Sequence, residues 1–196
     1  ESAFKAGAER YFYSSSACVY NTALQKDPNV RALKESDAYP AMAERGYGWE
    51  KLISEMLCQE YWAERGLKTF IARFHNVYGP WGTWDGGREK APAALCRKVI
   101  IAKDLGRKEL EIWGDGTQTR SFMYIDDCVK GIDMIMHFDG LVATPINLGT
   151  SELISVADLV SLIEEIAGIK FKRKYDPSAP KGVAGRNSDN TMIKRI

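Results

Sequence analysis

Apolar and polar positions alternate along the chain in blocks that predict strands and helices in turn. Positions 10–14, RYFYS, are short and aromatic, which is typical of a buried strand. From Tyr47 to Arg65 apolar residues recur at i, i+3, i+4, i+7 and i+8, which predicts an amphipathic helix, and Gly66 follows as its C-cap. Positions 68–74, KTFIARF, predict a second strand. This strand–helix–strand order implies a right-handed crossover and a parallel sheet.

The same alternation continues to the end of the chain and predicts the α/β class. The interval 21–46 is polar and without periodicity, so we predict a loop. A loop of that length inside a compact domain points to function or mobility. A second loop is predicted at 75–90. The remaining predicted elements are helices at about 92–103, 126–138 and 155–167, and strands at 110–113, 118–125, 145–148 and 170–175.

Composition places the chain among soluble globular proteins and narrows its partners. Apolar residues make up 45% and charged residues 27%, and the net charge is +1, which argues against a nucleic-acid partner. No apolar run approaches the roughly 20 residues of a membrane span, and no secretory signal is recognisable. We therefore expect a cytoplasmic protein with no membrane partner. The four cysteines form no CxxC pattern, so we expect reduced thiols and no metal site.

Tyr47 and Lys51 form a YxxxK pair, one helical turn apart on the same face of the predicted helix. A lysine ammonium beside a phenol stabilises the phenolate, which makes the tyrosine a general base for an alcohol proton during hydride transfer. Alone, the pair is a weak indication, because an ordinary helix surface offers it by chance.

Other motifs accompany the pair in a fixed order. They are SSSACVY at 14–20, RFHNVYGP at 73–80, GDGTQTRSFMYIDD at 114–127 and INLG at 146–149. Together with YxxxK they resemble the extended short-chain dehydrogenase/reductase family, which contains the nucleotide-sugar epimerases and dehydratases. The resemblance implies the C-terminal part of a Rossmann-like doubly wound parallel sheet, a smaller α/β lobe that binds the sugar nucleotide, and NAD as the cofactor.

Within that family, FHNVYGPWGTWDGGREKAPAALCRK at 74–98 and GRNSDN at 185–190 resemble the GDP-mannose 3,5-epimerases. This implies an isomerase that epimerises GDP-mannose at carbons 3 and 5, to GDP-L-galactose, through a 4-keto intermediate. Another NDP-sugar 4-epimerase, a 4,6-dehydratase, or an inactive truncated module that binds sugar nucleotide remain as alternatives. A dehydratase would lack its acid pair, because Ala17 and Cys18 stand where dehydratases carry Asp and Glu.

The resemblance assigns five catalytic residues. Ser16, Tyr47 and Lys51 match the hydride-transfer triad, while Cys18 and Lys90 match an acid/base pair on opposite faces of the sugar. A thiol beside cations can take and return a carbon-bound proton. Without the resemblance, Cys18 would be interpreted as a structural cysteine and Lys90 as a solvated loop charge.

The resemblance also assigns binding residues. The expected cofactor contacts are Ser14, Ser15, Tyr47, Lys51 and Phe74. The expected substrate contacts are Asn76, Glu89, Lys90, Lys98, Arg120 and Arg186. Arg120 and Arg186 are assigned to the diphosphate, because a guanidinium matches phosphate geometry. Trp113 is interpreted as a packing residue.

The ends of the chain suggest a piece of a longer protein. Positions 1–6 predict the end of a helix and 192–196 the start of another, and none of the 17 glycines forms a GxGxxG turn. We expect the dinucleotide-binding N-terminal half to lie upstream, and the 196 residues alone to be inactive. Residues 1–80 and about 117–150 would belong to the NAD-binding domain, and about 81–116 and 151–196 to the substrate lobe. Relatives often dimerise through the YxxxK helix, so we expect a homodimer.

Overall fold

A computed structural model describes residues 1–179 and 182–196, and it confirms the predicted α/β class. The α-helices are α1 (Ser2–Lys5), α2 (Tyr47–Arg65), α3 (Ala91–Asp104), α4 (Ile125–His137) and α5 (Val156–Ala167). The strands are β1 (Arg10–Ser16), β2 (Lys68–Phe74), β3 (Asn76–Tyr78), β4 (Glu109–Trp113), β5 (Thr119–Arg120), β6 (Phe122–Tyr124), β7 (Pro145–Leu148), β8 (Ile154–Ser155), β9 (Lys172–Asp176) and β10 (Gly185–Arg186). No helix in the described ranges is long and apolar enough to cross a membrane.

The main sheet is parallel, as the strand–helix–strand order predicts, with strand order β1–β2–β7. Its middle strand is buried on both faces, and successive side chains point to opposite sides. Phe70 and Ala72 pack with residues of α4 and β7, including Ile135 and Ile146. On the other face, the hydroxyl of Thr69 donates to the carbonyl oxygen of Cys58 in α2. The sheet is therefore covered by α4 on one face and by α2 on the other.

A second apolar core lies between α3, α5 and the parallel pair β4–β9. Its buried members include Leu95, Val99, Ile112 and Val160. The short strands form two small sheets separate from the main one: β5 pairs with β8 and β10, and β3 pairs with β6. Both small sheets lie where the chain passes from one core to the other, which is where the candidate site forms.

One predicted strand, 118–125, is wrong. The chain changes partners at Ser121, since β5 pairs with β8 and β10 whereas β6 pairs with β3, and α4 begins at Ile125. The predicted loop at 75–90 also contains β3. These short strands depend on distant partners, so local periodicity does not reveal them.

The interval 21–46 contains no α-helix or paired strand, as predicted, but it is not a peripheral loop. Short 3-10 turns occur at Thr22–Gln25 and Glu35–Ala38. Leu33 is fully buried and forms a bridge with Ser188, while Ala38 packs with Tyr20 and Leu52 in a third apolar cluster. The segment is therefore part of the core beneath the site.

Candidate active site

The Tyr47–Lys51 pair meets at the start of α2, as its spacing predicts. The Lys51 ammonium lies 5.4 Å from the centre of the Tyr47 ring, and its Nζ donates to the carbonyl oxygen of Ser14 at 3.1 Å. Tyr47 is 53% exposed. The pair thus lies beside β1, at the carboxyl end of the parallel strands, where open α/β sheets bind ligands.

Cys18 lies in a short turn that is packed against the same helix. Ser16 ends β1 and caps the turn Ala17–Val19, and its hydroxyl accepts a hydrogen bond from the Cys18 N–H at 3.2 Å. Gly48 approaches so closely that an added Cβ would lie 2.3 Å from the Cys18 carbonyl oxygen. The glycine is needed for this contact, which fixes Cys18 against the start of the Tyr47 helix.

Arg186 reaches Cys18 from β10. Its Nη1 donates to Cys18 Sγ at 3.5 Å, its Nε donates to Gln25 Oε1 at 2.7 Å, and its Nη2 donates to Glu44. Sequence reasoning missed Gln25 and Glu44, because both lie in the aperiodic interval 21–46 and belong to no motif. Arg186 itself was found through GRNSDN.

Arg120 lies near Arg186 and is largely buried. Its Nη2 donates to the carbonyl oxygen of Val183 and its Nη1 to that of Thr119, both at 2.7 Å. Burial lowers the pKa of Arg120 to about 10, and repulsion from Arg186 adds to this effect. Two neighbouring cations in a partly desolvated place favour an anionic ligand.

Three of the expected substrate residues line one cavity of about 310 Å³. They are Glu89, Lys98 and Arg120, and Ile112 and Trp113 contribute to its wall. The Lys98 ammonium lies 5.0 Å from the centre of the Trp113 ring and donates to the carbonyl oxygen of Glu111. The interpretation of Trp113 as a packing residue is wrong, since its side chain is 56% exposed at this cavity.

Lys90 lines a second cavity, of about 480 Å³, together with Tyr78, Trp81 and Trp84. It is exposed and immediately precedes α3. The neighbouring Glu89 is held by Arg97, whose Nη2 donates to it at 2.6 Å. Its own backbone N–H and Arg97 hold the pKa of Glu89 below its usual value. Glu89 therefore keeps its charge and fixes the loop that carries Lys90.

The remaining expected binding residues are more enclosed. Ser15 is buried and its hydroxyl donates to Glu55. The ring of Phe74 packs edge-on against Phe12, and Asn76 Nδ2 donates to the carbonyl oxygen of Ser121 at 3.2 Å. The structure thus gives these three side chains intramolecular partners, and their ligand contacts stay predictions.

A buried ion pair joins α2 to the sheet under the site. Arg73 donates from Nε and Nη2 to the two carboxylate oxygens of Glu55 at 2.9 and 2.7 Å, and both side chains are at most 2% exposed. Sequence reasoning missed this pair. The available indication was an arginine within the apolar second half, FIARF, of the strand KTFIARF.

Asn147 connects several motifs through its side chain. Its Oδ1 accepts hydrogen bonds from the Tyr20 hydroxyl and His75 Nε2, so the histidine proton is on Nε2. Its Nδ2 donates to the carbonyl oxygens of Leu33 and Asp189, at 2.8 and 3.0 Å. Burial lowers the pKa of His75 to about 4 and raises that of Tyr20, so both are neutral at pH 7.

A model of the NAD dependent epimerase/dehydratase family matches residues 1–149. Among curated proteins, GDP-mannose 3,5-epimerase 1 of Oryza sativa subsp. indica is 47% identical over 188 residues, which cover 96% of this chain and 48% of that protein. GDP-mannose 3,5-epimerase of Arabidopsis thaliana is 46% identical with the same coverage. The chain spans about half the length of these curated relatives.

Solved structures of nucleotide-sugar epimerases resemble the fold. UDP-glucose 4-epimerase of Thermotoga maritima, solved with UDP-glucose, matches with a TM-score of 0.82 and 25% identity, over 98% of this chain and 58% of that one. UDP-N-acetylglucosamine 4-epimerase of Methanobrevibacter ruminantium M1 also has a TM-score of 0.82, at 21% identity, over 98% of this chain and 57% of that one. The second likeness is one of fold alone.

Proposed function

The chain belongs to the NAD dependent epimerase/dehydratase family, and we propose that the protein epimerises GDP-mannose at carbons 3 and 5 to give GDP-L-galactose. One observation carries the proposal: the turn with Cys18 is packed directly onto the helix with Tyr47 and Lys51. A proton-transfer group beside a hydride-transfer pair is what epimerisation next to a transient ketone requires.

The residues at this edge fit a nicotinamide dinucleotide, which we propose is NAD. Tyr47 is 53% exposed, and the Lys51 ammonium bonds the Ser14 carbonyl at the end of β1. Tyr47 and Lys51 would hold the cofactor, with Ser14, Ser15 and Phe74 on the adjoining strands. When bound, it supplies removal and return of a hydride at sugar carbon 4.

The Lys51 ammonium stabilises Tyr47 as a phenolate, and this phenolate accepts the proton of the carbon-4 hydroxyl and becomes a neutral phenol. The hydroxyl of Ser16 accepts from the Cys18 N–H, and its own hydrogen would be donated to the sugar oxygen. A ketone at carbon 4 acidifies the protons on carbons 3 and 5. Cys18 removes a proton from one face of the ring, and Lys90 supplies one on the other.

The sugar nucleotide would be bound by the cavity and cations described above. Arg120 and Arg186 bind the diphosphate, which compensates their mutual repulsion. Glu89 and Lys98, with the apolar wall, hold the remainder of the nucleotide in the 310 Å³ cavity. Asn76, the first residue of β3, would contact the sugar.

We also propose a homodimer formed through α2. Ile53, Met56 and Leu57 are each at least half exposed and share one side of the helix. An apolar face of this kind on a helix of 19 residues is suited to pairing with its own copy.

The test is incubation of the full-length protein with GDP-mannose and NAD in deuterated water. We expect deuterium at carbons 3 and 5, because each proton that is removed exchanges with solvent before one is returned. Cys18→Ala should stop exchange on its face and leave GDP-mannose binding intact. Cys128→Ala, a matched change in the core of α4, should keep exchange.

Two results would contradict the proposal. Inversion at carbon 4 without deuterium at carbons 3 or 5 would indicate a 4-epimerase, since that reaction exchanges no carbon-bound proton with solvent. Wild-type exchange in Cys18→Ala would remove the thiol from the mechanism.

A further inference from the structure

Arg186 has a contact that diphosphate binding does not explain, since one of its donors is bonded to a thiol. We propose that Arg186 is a positioning residue that orients the Cys18 sulfur and raises its reactivity through the Nη1 contact, and that Glu44 limits this effect by sharing the same guanidinium. The inference deepens the proposed function and rests on the role given there to Cys18.

The direction of the guanidinium is fixed by its partners. Arg186 is 9% exposed, and its Nε and Nη2 are occupied by Gln25 and Glu44. Because the guanidinium is planar and rigid, those two bonds determine where Nη1 points, and it points to Cys18 Sγ at 3.5 Å. The contact with sulfur is therefore imposed by the surrounding protein.

The partners are themselves fixed to the backbone around Cys18. The Glu44 N–H donates to the Cys18 carbonyl oxygen at 3.0 Å, and the Glu44 carbonyl oxygen accepts from the Trp49 N–H at 3.3 Å. The Gln25 carbonyl oxygen accepts from the Ala184 N–H, two residues before Arg186, at 3.0 Å. Backbone hydrogen bonds of the interval 21–46 thus fix the relative positions of the Cys18 thiol, the Arg186 guanidinium and the Glu44 carboxylate.

The charged groups around the Cys18 thiol have opposite effects on its reactivity. A cation that bonds a sulfur favours its thiolate form, which is the form that abstracts a proton. The Glu44 carboxylate faces the same cation and weakens it, whereas Arg120 of β5 is close enough to Arg186 to add positive potential. From α2, the uncharged Gly48 meets the turn; the charged Lys51 of the same helix contacts the Tyr47 ring and the Ser14 carbonyl oxygen.

The experiment measures alkylation of Cys18 by iodoacetamide in the full-length protein, from about pH 6 to 9, with each cysteine peptide quantified by mass spectrometry. Arg186→Met should slow alkylation of Cys18 about tenfold at neutral pH, because the stabilising cation is lost. Glu44→Gln should accelerate it several-fold, because the cation is no longer shared. The two variants should therefore change the alkylation rate of Cys18 in opposite directions.

The other cysteines serve as controls in the same sample. Cys96 is exposed on α3 and should react at the same rate in every variant, while Cys58 and Cys128 are buried and would become reactive only on unfolding. If Arg186→Met unfolds by that criterion, Glu44→Gln decides: it keeps Arg186 and removes only the competing carboxylate, so a Cys18 rate that does not rise overturns the inference.

An unchanged Cys18 rate in folded Arg186→Met overturns the inference. Acceleration in both Arg186→Met and Glu44→Gln also overturns it, because that pattern means Arg186 only shields the thiol. Alkylation rates are measured without catalytic turnover. The inference can therefore fail while the deuterium experiment still supports the proposed function, and the reverse also holds.

Discussion

At the scale of single residues, His75 shows how the fold fixes a charge state. It follows β2, is 6% exposed, and contacts the Asn147 amide through Nε2. Burial lowers its pKa from 6.5 to about 4, with smaller contributions from Arg186 and Arg73. The His75 ring is therefore neutral in the folded protein across the physiological pH range.

This shift predicts acid sensitivity. Between about pH 6.5 and 4 the unfolded chain binds a proton that the folded chain does not, so stability falls as pH drops through that window. Above it His75 contributes no pH dependence, and at its lower end the loss reaches about 3 kcal/mol. Urea denaturation at about pH 7 and pH 4.5 measures how far the unfolding free energy falls between the two pH values. His75→Gln should make this fall smaller by the contribution of His75.

The matched control is His137→Gln, since His137 is an exposed histidine on α4. It should keep the wild-type difference between the two pH values. A His75→Gln protein that still loses the full wild-type amount would show that carboxylates, rather than His75, control acid unfolding.

Residues that act through local spacing were predictable, whereas residues that act through distant contacts were not. Four positions along a helix suffice to bring Tyr47 beside Lys51, and the contact is present. Gln25 and Glu44 meet Arg186 across 161 and 142 positions of sequence. No local pattern encodes such a contact, so only the folded chain reveals it.

At the scale of elements, the Glu55–Arg73 pair decides how α2 sits on the sheet. The carboxylate comes from the helix and the guanidinium from the middle strand, and Ser15 of β1 donates to the same carboxylate. Removing one partner leaves the other charge buried and unpaired, which is costly in a low-dielectric environment.

We therefore expect Arg73→Met to lower the unfolding free energy by about 3–5 kcal/mol in urea denaturation. The double change Glu55→Met with Arg73→Met should cost less than Arg73→Met alone, since no unpaired charge remains. Glu109→Gln is the control, because its partner Lys172 is exposed and such surface pairs contribute about 1 kcal/mol or less. Equal losses from Arg73→Met and Glu109→Gln would refute the argument.

The helix α2 also shows which features a hydrophobic pattern predicts and which it does not. Its limits, Tyr47 to Arg65 with Gly66 in the left-handed conformation, are those predicted from periodicity and the cap. Its buried side, however, is formed by Gly48, Leu52, Glu55 and Cys58, while much of the apolar stripe is exposed. A glycine and a paired glutamate face the sheet because of contacts with Cys18 and Arg73, which hydrophobicity does not encode.

At the scale of the whole molecule, the motifs converge although they are far apart in sequence. Asn147 of INLG bonds the carbonyl oxygens of Leu33 and Asp189, and thereby joins the interval 21–46 to GRNSDN. The fold class was predictable because each long element carries its own periodicity. The convergence was not, because the short strands and buried amide contacts that produce it depend on the completed chain.

Assembly through α2 depends on the apolar residues that the helix exposes. Ile53 and Leu57 lie one turn apart and are 53% and 55% exposed, so a charge there costs the folded monomer little. In a symmetric dimer each substitution occurs twice in one interface. Two leucines lost from an interface at about 1.5 kcal/mol each weaken association on the order of a hundredfold. Leu57→Glu should therefore sediment as a monomer at micromolar concentration where the wild type sediments as a dimer. Ile166→Glu, at an apolar position of α5 that is 78% exposed, is the control and should sediment like the wild type. A monomeric wild type would contradict the dimer, whereas dissociation by Ile166→Glu but not by Leu57→Glu would place the interface elsewhere.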